Sequence, residues 1–320
     1  VLISKTMHNF WRSYPSLVPM GLLVLGGCVG HLRDLTPHVF EPGTISTPLV
    51  EYGIAFSSDG SELYVARSSD PWGTPRLKSA IYHSVRKNGK WAAPKLASFS
   101  GTYNDGDPHL CPNGKTLYFT SDRPDVAAGN TSMDIWKVER EPGGLWGSPT
   151  RLDQTINSEA DEYSPRTDVD GNLYFASARE GGYGQGDLYW AKRHPDGFGK
   201  PFNLGKTINS PTGEWNLEID REGNILIFES SGRERNLSSY GDLYISFKFN
   251  EEWSIPQALT ELNTTGSDLN PELAANDTML YYASTDSLKG RISHIYAIDF
   301  EELCKRYKKI AVLPPDPGTE

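Results

Sequence analysis

Five times along this chain a tight turn is followed by a short strand rich in Leu, Tyr and Phe, and that recurrence limits the fold more than any other feature. The turn pairs are Asp59-Gly60, Asn113-Gly114, Asp170-Gly171, Glu222-Gly223 and Asn276-Asp277, and their first residues fall 54, 57, 52 and 54 positions apart. A fixed period of this length marks a repeat architecture in which each unit is one supersecondary element. Asn-Gly and Asp-Gly supply the left-handed backbone that a tight hairpin needs, so each turn joins two strands. The strand after the turn holds Leu63-Tyr64-Val65, Leu117-Tyr118-Phe119, Leu173-Tyr174-Phe175, Leu226-Ile227-Phe228 or Leu280-Tyr281-Tyr282.

A third strand recurs around Ile81-Tyr82, Ile135-Trp136, Leu188-Tyr189, Leu243-Tyr244 and Ile295-Tyr296. A fourth comes after an aromatic and a proline: Trp91 and Pro94, Trp146 and Pro149, Phe198 and Pro201, Trp253 and Pro256. Apolar runs without strict alternation fit sheets buried on both faces. Sheets stacked radially about an axis provide that burial, so the expected class is all-β, a β-propeller of five four-stranded blades over residues 40–299. The fifth unit lacks its aromatic–proline strand, while "FEPGTIST", Phe40 to Thr47, stands unpaired ahead of the first. The N-terminal segment is therefore expected to complete the last blade, which removes open edges. A sixth blade would require residues 31–50 and 300–320 to hold a degenerate one. Within residues 300–320, "FEELCKRYKKI" has the pattern of a short amphipathic helix and "LPPDPGTE" that of a disordered tail.

Composition bounds the function classes. A net charge of −10 over 320 residues, with no long run of like charges to override it, argues against nucleic acid as a partner. A mean hydropathy of −0.50 argues against several membrane spans. The segment "MHNFWRSYPSLVPMGLLVLGGC" is a separate case, with a basic start, an apolar span from Leu17 to Leu25, and then Gly26-Gly27-Cys28. That span is too short for a transmembrane helix and has the proportions of a secretory signal. Leu25-Gly26-Gly27-Cys28 resembles the bacterial lipobox, which implies a signal peptide over 1–27, lipidation of Cys28 and a spacer over 28–39. Val29 in place of an Asp points to the outer membrane. Cys111 and Cys304 remain, either as two separate thiols or as a disulfide, and no cysteine–histidine spacing suggests zinc.

The repeats "CPNGKTLYFTSDR" with "MDIW", and "SSDGSELYVAR", resemble those of TolB-type, WD-like bacterial propellers, over about residues 40–299. The pattern's proline is replaced by Ser58, Val169, Arg221 and Ala275, so the resemblance speaks for architecture more than for any one member's partner.

Aligning the units on their turns reveals an acid eight positions earlier in every one: Glu51, Asp105, Glu162, Glu214 and Asp268. This position opens the innermost strand, so the five carboxylates are expected to ring the mouth of the axial channel. They either staple the backbone or hold a cation, for which Ca²⁺ is the first candidate. Asp107, Ser164, Asn216 and Asn270 come two positions on. Four residues after the acids stand Ala55, His109, Arg166, Glu218 and Glu272, which differ from unit to unit as a site for an asymmetric ligand would. Asp134, Asp187 and Asp242 open third strands, and Arg123, Arg179 and Arg233 come after second strands, an arrangement read as Asp–Arg pairs bracing each loop. The repeating aromatics Trp91, Trp146, Phe198 and Trp253 are read as packing between blades. Trp72, Tyr183, Trp190, Trp215 and Tyr240 do not repeat. Those on loops, notably "EGGYGQGD" from Glu180, are candidates for a binding surface.

No Ser–His–Asp set or nucleophile elbow is present. The expectation is a monomeric cell-envelope lipoprotein, tethered to a membrane only by its lipid, whose propeller binds a protein or an envelope glycan without catalysis and without a cofactor. Candidate binding residues are His109, Arg166, Glu218, Glu272, Tyr183 and Trp215. The alternative is a glycan-acting enzyme that draws a carboxyl pair from Glu162, Glu214, Glu218 and Glu272.

Overall fold

The computed structural model describes residues 35–75, 77–124, 132–285 and 292–315. The expected signal peptide, residues 1–27, and Cys28 lie outside the described residues. So do residues 316–320, the end of the expected tail.

Each repeat folds as an antiparallel meander. The first strands are Val50–Phe56, Asp105–Leu110, Glu162–Thr167, Gly213–Ile219 and Asp268–Leu273. Each pairs with a second strand across the turn: Glu62–Ser68, Thr116–Ser121, Leu173–Ser177, Ile225–Ser231 or Met279–Thr285. The third strands Ala80–Lys87, Asp134–Glu139, Asp187–Ala191, Asp242–Phe249 and Ser293–Asp299 continue the meander. Two-residue fourth strands, Lys95–Leu96, Thr150–Arg151, Phe202–Asn203 and Gln257–Ala258, finish the first four repeats.

The fifth repeat takes its outer strand from the N-terminal side of the chain. His38–Val39 pairs antiparallel with Ser293–Asp299, and the Phe40 amide donates to the Ile295 carbonyl at 2.7 Å. The closing strand thus lies just ahead of the stretch expected for it. From Glu41 to Ser46 the chain instead bends back: the Glu41 carbonyl accepts from the Thr44, Ile45 and Ser46 amides, which turns Ile45 into the core. A single parallel bridge, Val50 to Ser293, joins the first and last repeats into one nine-stranded sheet.

Five apolar layers hold the repeats together, each filled from two consecutive repeats. Ala55, Tyr64 and Ile81 meet Leu117, Phe119 and Trp136, and the second layer joins Tyr118 and Ile135 to Leu173 and Phe175. The last layer returns to the start, with Leu269, Ala283 and Ile295 against Ile54, Leu63 and Val65. Trp91, Trp146, Phe198 and Trp253 belong to these layers, so they pack between repeats. The first strands adjoin one another in cyclic order around an axis.

A helix, Phe300–Lys308, comes after the last strand. The Asp299 side chain caps it by accepting from the Glu302 amide, and Glu301 and Glu302 in the first turn with Lys305, Arg306 and Lys308 in the last suit the helix dipole. Phe300, Leu303 and Tyr307 bury its apolar face against the fourth and fifth repeats. Cys111 and Cys304 are both free thiols, so the disulfide alternative does not hold.

Candidate functional site

The five repeated acids are fully buried, and each accepts from a Ser or Thr hydroxyl that precedes it in the chain. Glu162 accepts from the Ser158 amide and hydroxyl, the Ser177 hydroxyl and Arg179. Glu214 has the same partners in Ser210, Ser230 and Arg233. Asp105 takes Ser100, Ser121 and Arg123, Asp268 takes Thr264 and Ser284, and Glu51 takes Thr47 and Arg67. Burial raises the proton affinity of Glu51 and Glu162, and carries the Asp268 carboxyl to about 6. Among the described residues no group of three or more His, Cys, Asp or Glu is arranged to hold a metal ion.

This corrects the expected Asp–Arg bracing. Arg123, Arg179 and Arg233 reach back to the repeated acids, because the end of each second strand lies beside the start of its own first strand. Asp134 instead pairs with Arg151 at 2.7 Å, while Asp187 and Asp242 accept backbone amides of their own loops.

The axis itself is lined by the residues two positions beyond the acids. Every first strand breaks register at the same place, with a bulge around Gly53, Asp107, Ser164, Asn216 and Asn270. Bulges re-aim side chains. Asp107, Ser164 and Asn270 take left-handed φ values of 46, 50 and 47°, a conformation that short polar side chains tolerate and that concentrates at functional sites. The result is a polar knot on the axis. Asn270 Nδ2 donates to Asp107 Oδ1 at 2.9 Å and to Asn216 Oδ1 at 2.8 Å, and Asp107 Oδ2 accepts from Thr120 Oγ1 and the Ser164 amide, both at 3.2 Å. Asn216 Nδ2 in turn donates to Glu229.

Above this knot, at the end where the first strands begin, opens a cavity of about 380 Å³. Tyr52, Trp72 and Tyr163 supply its rings, Asp107, Asp122 and Asp161 its carboxylates, and Asn104, Asn216 and Asn270 its amides. Among the described residues none that lines it is basic. Met133 and Tyr163 donate to Asp161, and the Asn104 amide donates to Asp122. Trp215 stands edge-on to Tyr163 at 6.1 Å. Its indole lies on bare backbone, since a Cβ on Gly186 or Gly213 would come within 2.5 or 2.8 Å of it. Tyr183 is exposed on the loop beside it.

Below the knot the structure brings Arg166, Glu218, Glu272 and His109 together. Arg166 Nε donates to Glu218 at 2.7 Å and stands 3.4 Å from Glu272. Its remaining nitrogens reach the carbonyls of Pro165 and Pro271. Burial holds the Glu218 carboxyl well above the ordinary range and carries Glu272 to about 7, each against the pull of Arg166. His109 is pushed well below its usual value by burial and by Arg166. This cluster opens on a second cavity of about 300 Å³ at the turn end.

The sequence reading missed Glu229. Its side chain is buried and its carboxyl is pushed up to about 8 by burial, with Asp107 adding to the rise. The signal was present: the matching place in three other second strands is Ala66, Ala176 and Ala283, and in the remaining one Thr120, which binds Asp107 as Glu229 binds Asn216.

An endo-arabinase of Bacteroides thetaiotaomicron superposes with a TM-score of 0.51 and 16% identity, over 80% of this chain and 96% of that one. An arabinanase of Bacillus subtilis does so with a TM-score of 0.53 and 13% identity, over 79% and 95% of the two chains. The fold is of the β-propeller type. An α-L-arabinofuranosidase of Lactobacillus brevis is a more distant likeness, at a TM-score of 0.46 and 13% identity, over 79% of this chain and 92% of that one. No protein-family model matches the sequence, and no curated protein matches it either.

Proposed function

We propose that this chain is a five-bladed propeller that binds and cleaves a neutral glycan in the cavity where its first strands begin. The observation that carries this reading is the lining: aromatic rings stand with carboxylates and amides, and among the described residues no basic side chain lines it. Sugar faces stack on rings and hydroxyls bond to carboxylates and amides, while a uronate would meet like charge at Asp107, Asp122 and Asp161. Cleaving a glycosidic bond takes two carboxyl groups, one to give a proton and one to accept it or to attack. Asp107 lies on the axis, and Asp122 and Asp161 stand on the wall as its candidate partners. Glu229 is a positioning residue that keeps its proton at neutral pH and orients Asn216. The two propellers matched over nearly their whole length are described as arabinanases, which makes arabinan the first polymer to try.

Binding without turnover is the second reading. It is favoured by the single acid among the five axial positions, Gly53, Asp107, Ser164, Asn216 and Asn270. The TolB-like repeat and the lipobox favour the bacterial envelope as the setting for either activity, with Cys28 as the anchor. The test is reducing-end release from arabinan and other neutral polysaccharides, with polygalacturonate as the charged control. Wild type should cleave a neutral polymer, and Asp107→Asn should lose about 10²–10⁴-fold in kcat while keeping its fold. Binding of the neutral polymer by both proteins with no cleavage by either would establish the second reading.

A further inference from the structure

We propose that Trp215 and Tyr183 form a second sugar platform beside the glycan cavity, so that the ligand is a chain running on past the cavity over the start of the fourth repeat. This rests on the glycan reading of that cavity. Tyr163 joins the two places: it lines the cavity, and its ring stands 6.1 Å from that of Trp215. A chain leaving the cavity past Tyr163 meets Trp215 next.

The platform follows from how the repeats join. In the first four, the connection between second and third strands lies on the start of the next repeat: the Ser79, Met133, Gly186 and Gly241 carbonyls accept from the Asp105, Glu162, Glu214 and Asp268 amides. In the third repeat this connection is "GGYGQGD", and its glycines let backbone rest on backbone. A Cβ on Gly184 would come within 2.4 Å of the Ser210 carbonyl oxygen, and Gly186 pairs with Gly213 in a parallel bridge. The Trp215 indole spans both bridged glycines, its six-membered ring at Gly186 and its Nε1 at Gly213. A side chain on either glycine would lift it. The ring is thus held on a floor of bare backbone while staying only half-buried, a pre-organised surface for a sugar face. The Asp187 carboxylate fixes the same connection by accepting from the Tyr183 and Gly184 amides at 2.6 and 3.0 Å, yet the Tyr183 side chain is 52% exposed. The matching connection of the first repeat carries Trp72, which lines the cavity. Rings therefore meet the mouth from two places, with Tyr163 between them in the cyclic order of the first strands.

The probes are linear arabino-oligosaccharides, from disaccharide to hexasaccharide, titrated by calorimetry into the full chain carrying Asp107→Asn, which holds them uncleaved. The hexasaccharide should bind at least about tenfold more tightly than the disaccharide. Adding Trp215→Ala should remove that gain and leave the disaccharide as it was, whereas Trp215→Phe, which keeps a ring, should retain most of it. Should Trp215→Ala fail to fold, Tyr183→Ala, at an exposed side chain, should show a smaller loss of the same kind. Affinity independent of length, or a gain untouched by these alanine variants, would overturn the platform and leave the reading of the cavity standing. Disaccharide binding that falls in Trp215→Ala as far as hexasaccharide binding does would also overturn it. Binding at no length would overturn the platform and the glycan reading together.

Discussion

Arg123 is buried and donates at 2.7 Å to a fully buried Asp105, so Arg123→Ala strands a carboxylate that its two serines alone cannot neutralise. Breaking such a pair typically costs about 3–5 kcal/mol, and chemical denaturation should show a loss of that size with no change in glycan binding. Glu229 gives the opposite prediction. Its folded carboxyl titrates near 8 against an ordinary 4.5, so the folded state holds the proton more tightly than the unfolded chain. The resulting stability is complete below the ordinary value and is lost as pH rises to about 8. Glu229→Gln mimics the protonated form and escapes that loss. At pH 8 the variant should be the more stable by roughly 2–4 kcal/mol, given about 1.4 kcal/mol per tenfold in proton affinity, and its stability should change less between pH 5 and 8. A wild-type-like pH profile in the variant would show that Glu229 ionises as an ordinary carboxylate. The repeated acids were legible because they recur, but recurrence does not say what they touch. Arg123 was assigned to a strand that follows it, whereas its partner lies on a strand that precedes it.

At the scale of elements, the turns and the second strands could be read directly, since a left-handed turn followed by Leu-Tyr-Phe has few alternatives. The bulges could not, because their register shift leaves no mark on apolar periodicity, and it is the bulges that carry Asp107, Asn216 and Asn270 to the axis. The closing strand was expected at Phe40 to Thr47 and forms at His38–Val39, because the Glu41 turn uses the intervening residues to seat Ile45. Ile45 is fully buried among residues of the first and last repeats. Ile45→Ala should therefore cost about 2–5 kcal/mol, and the loosened edge should show as faster amide exchange in Ser293–Asp299 and not in the third repeat. Leu303, fully buried under the terminal helix, should cost a similar amount on substitution by Ala, with protection lost first in Phe300–Lys308.

For the whole molecule, the cyclic order of first strands and the five shared apolar layers create one axis with two unlike ends. The end where strands begin is acidic, amidic and aromatic; the turn end holds the Arg166 cluster and His109. Sequence reasoning found the cluster from its variability. For the glycan-acting alternative it offered Glu162, Glu214, Glu218 and Glu272, of which the first two accept from serines and arginines. The proposed activity turns on whether the strand-start end receives a neutral glycan around Asp107. Calorimetric titration of a linear arabino-oligosaccharide into Asp107→Asn, repeated with Trp72→Ala added, decides it. Saturable binding to the first protein that falls at least about tenfold in the second is the predicted result. Saturable binding that survives the loss of Trp72, or no binding to either protein, would contradict it.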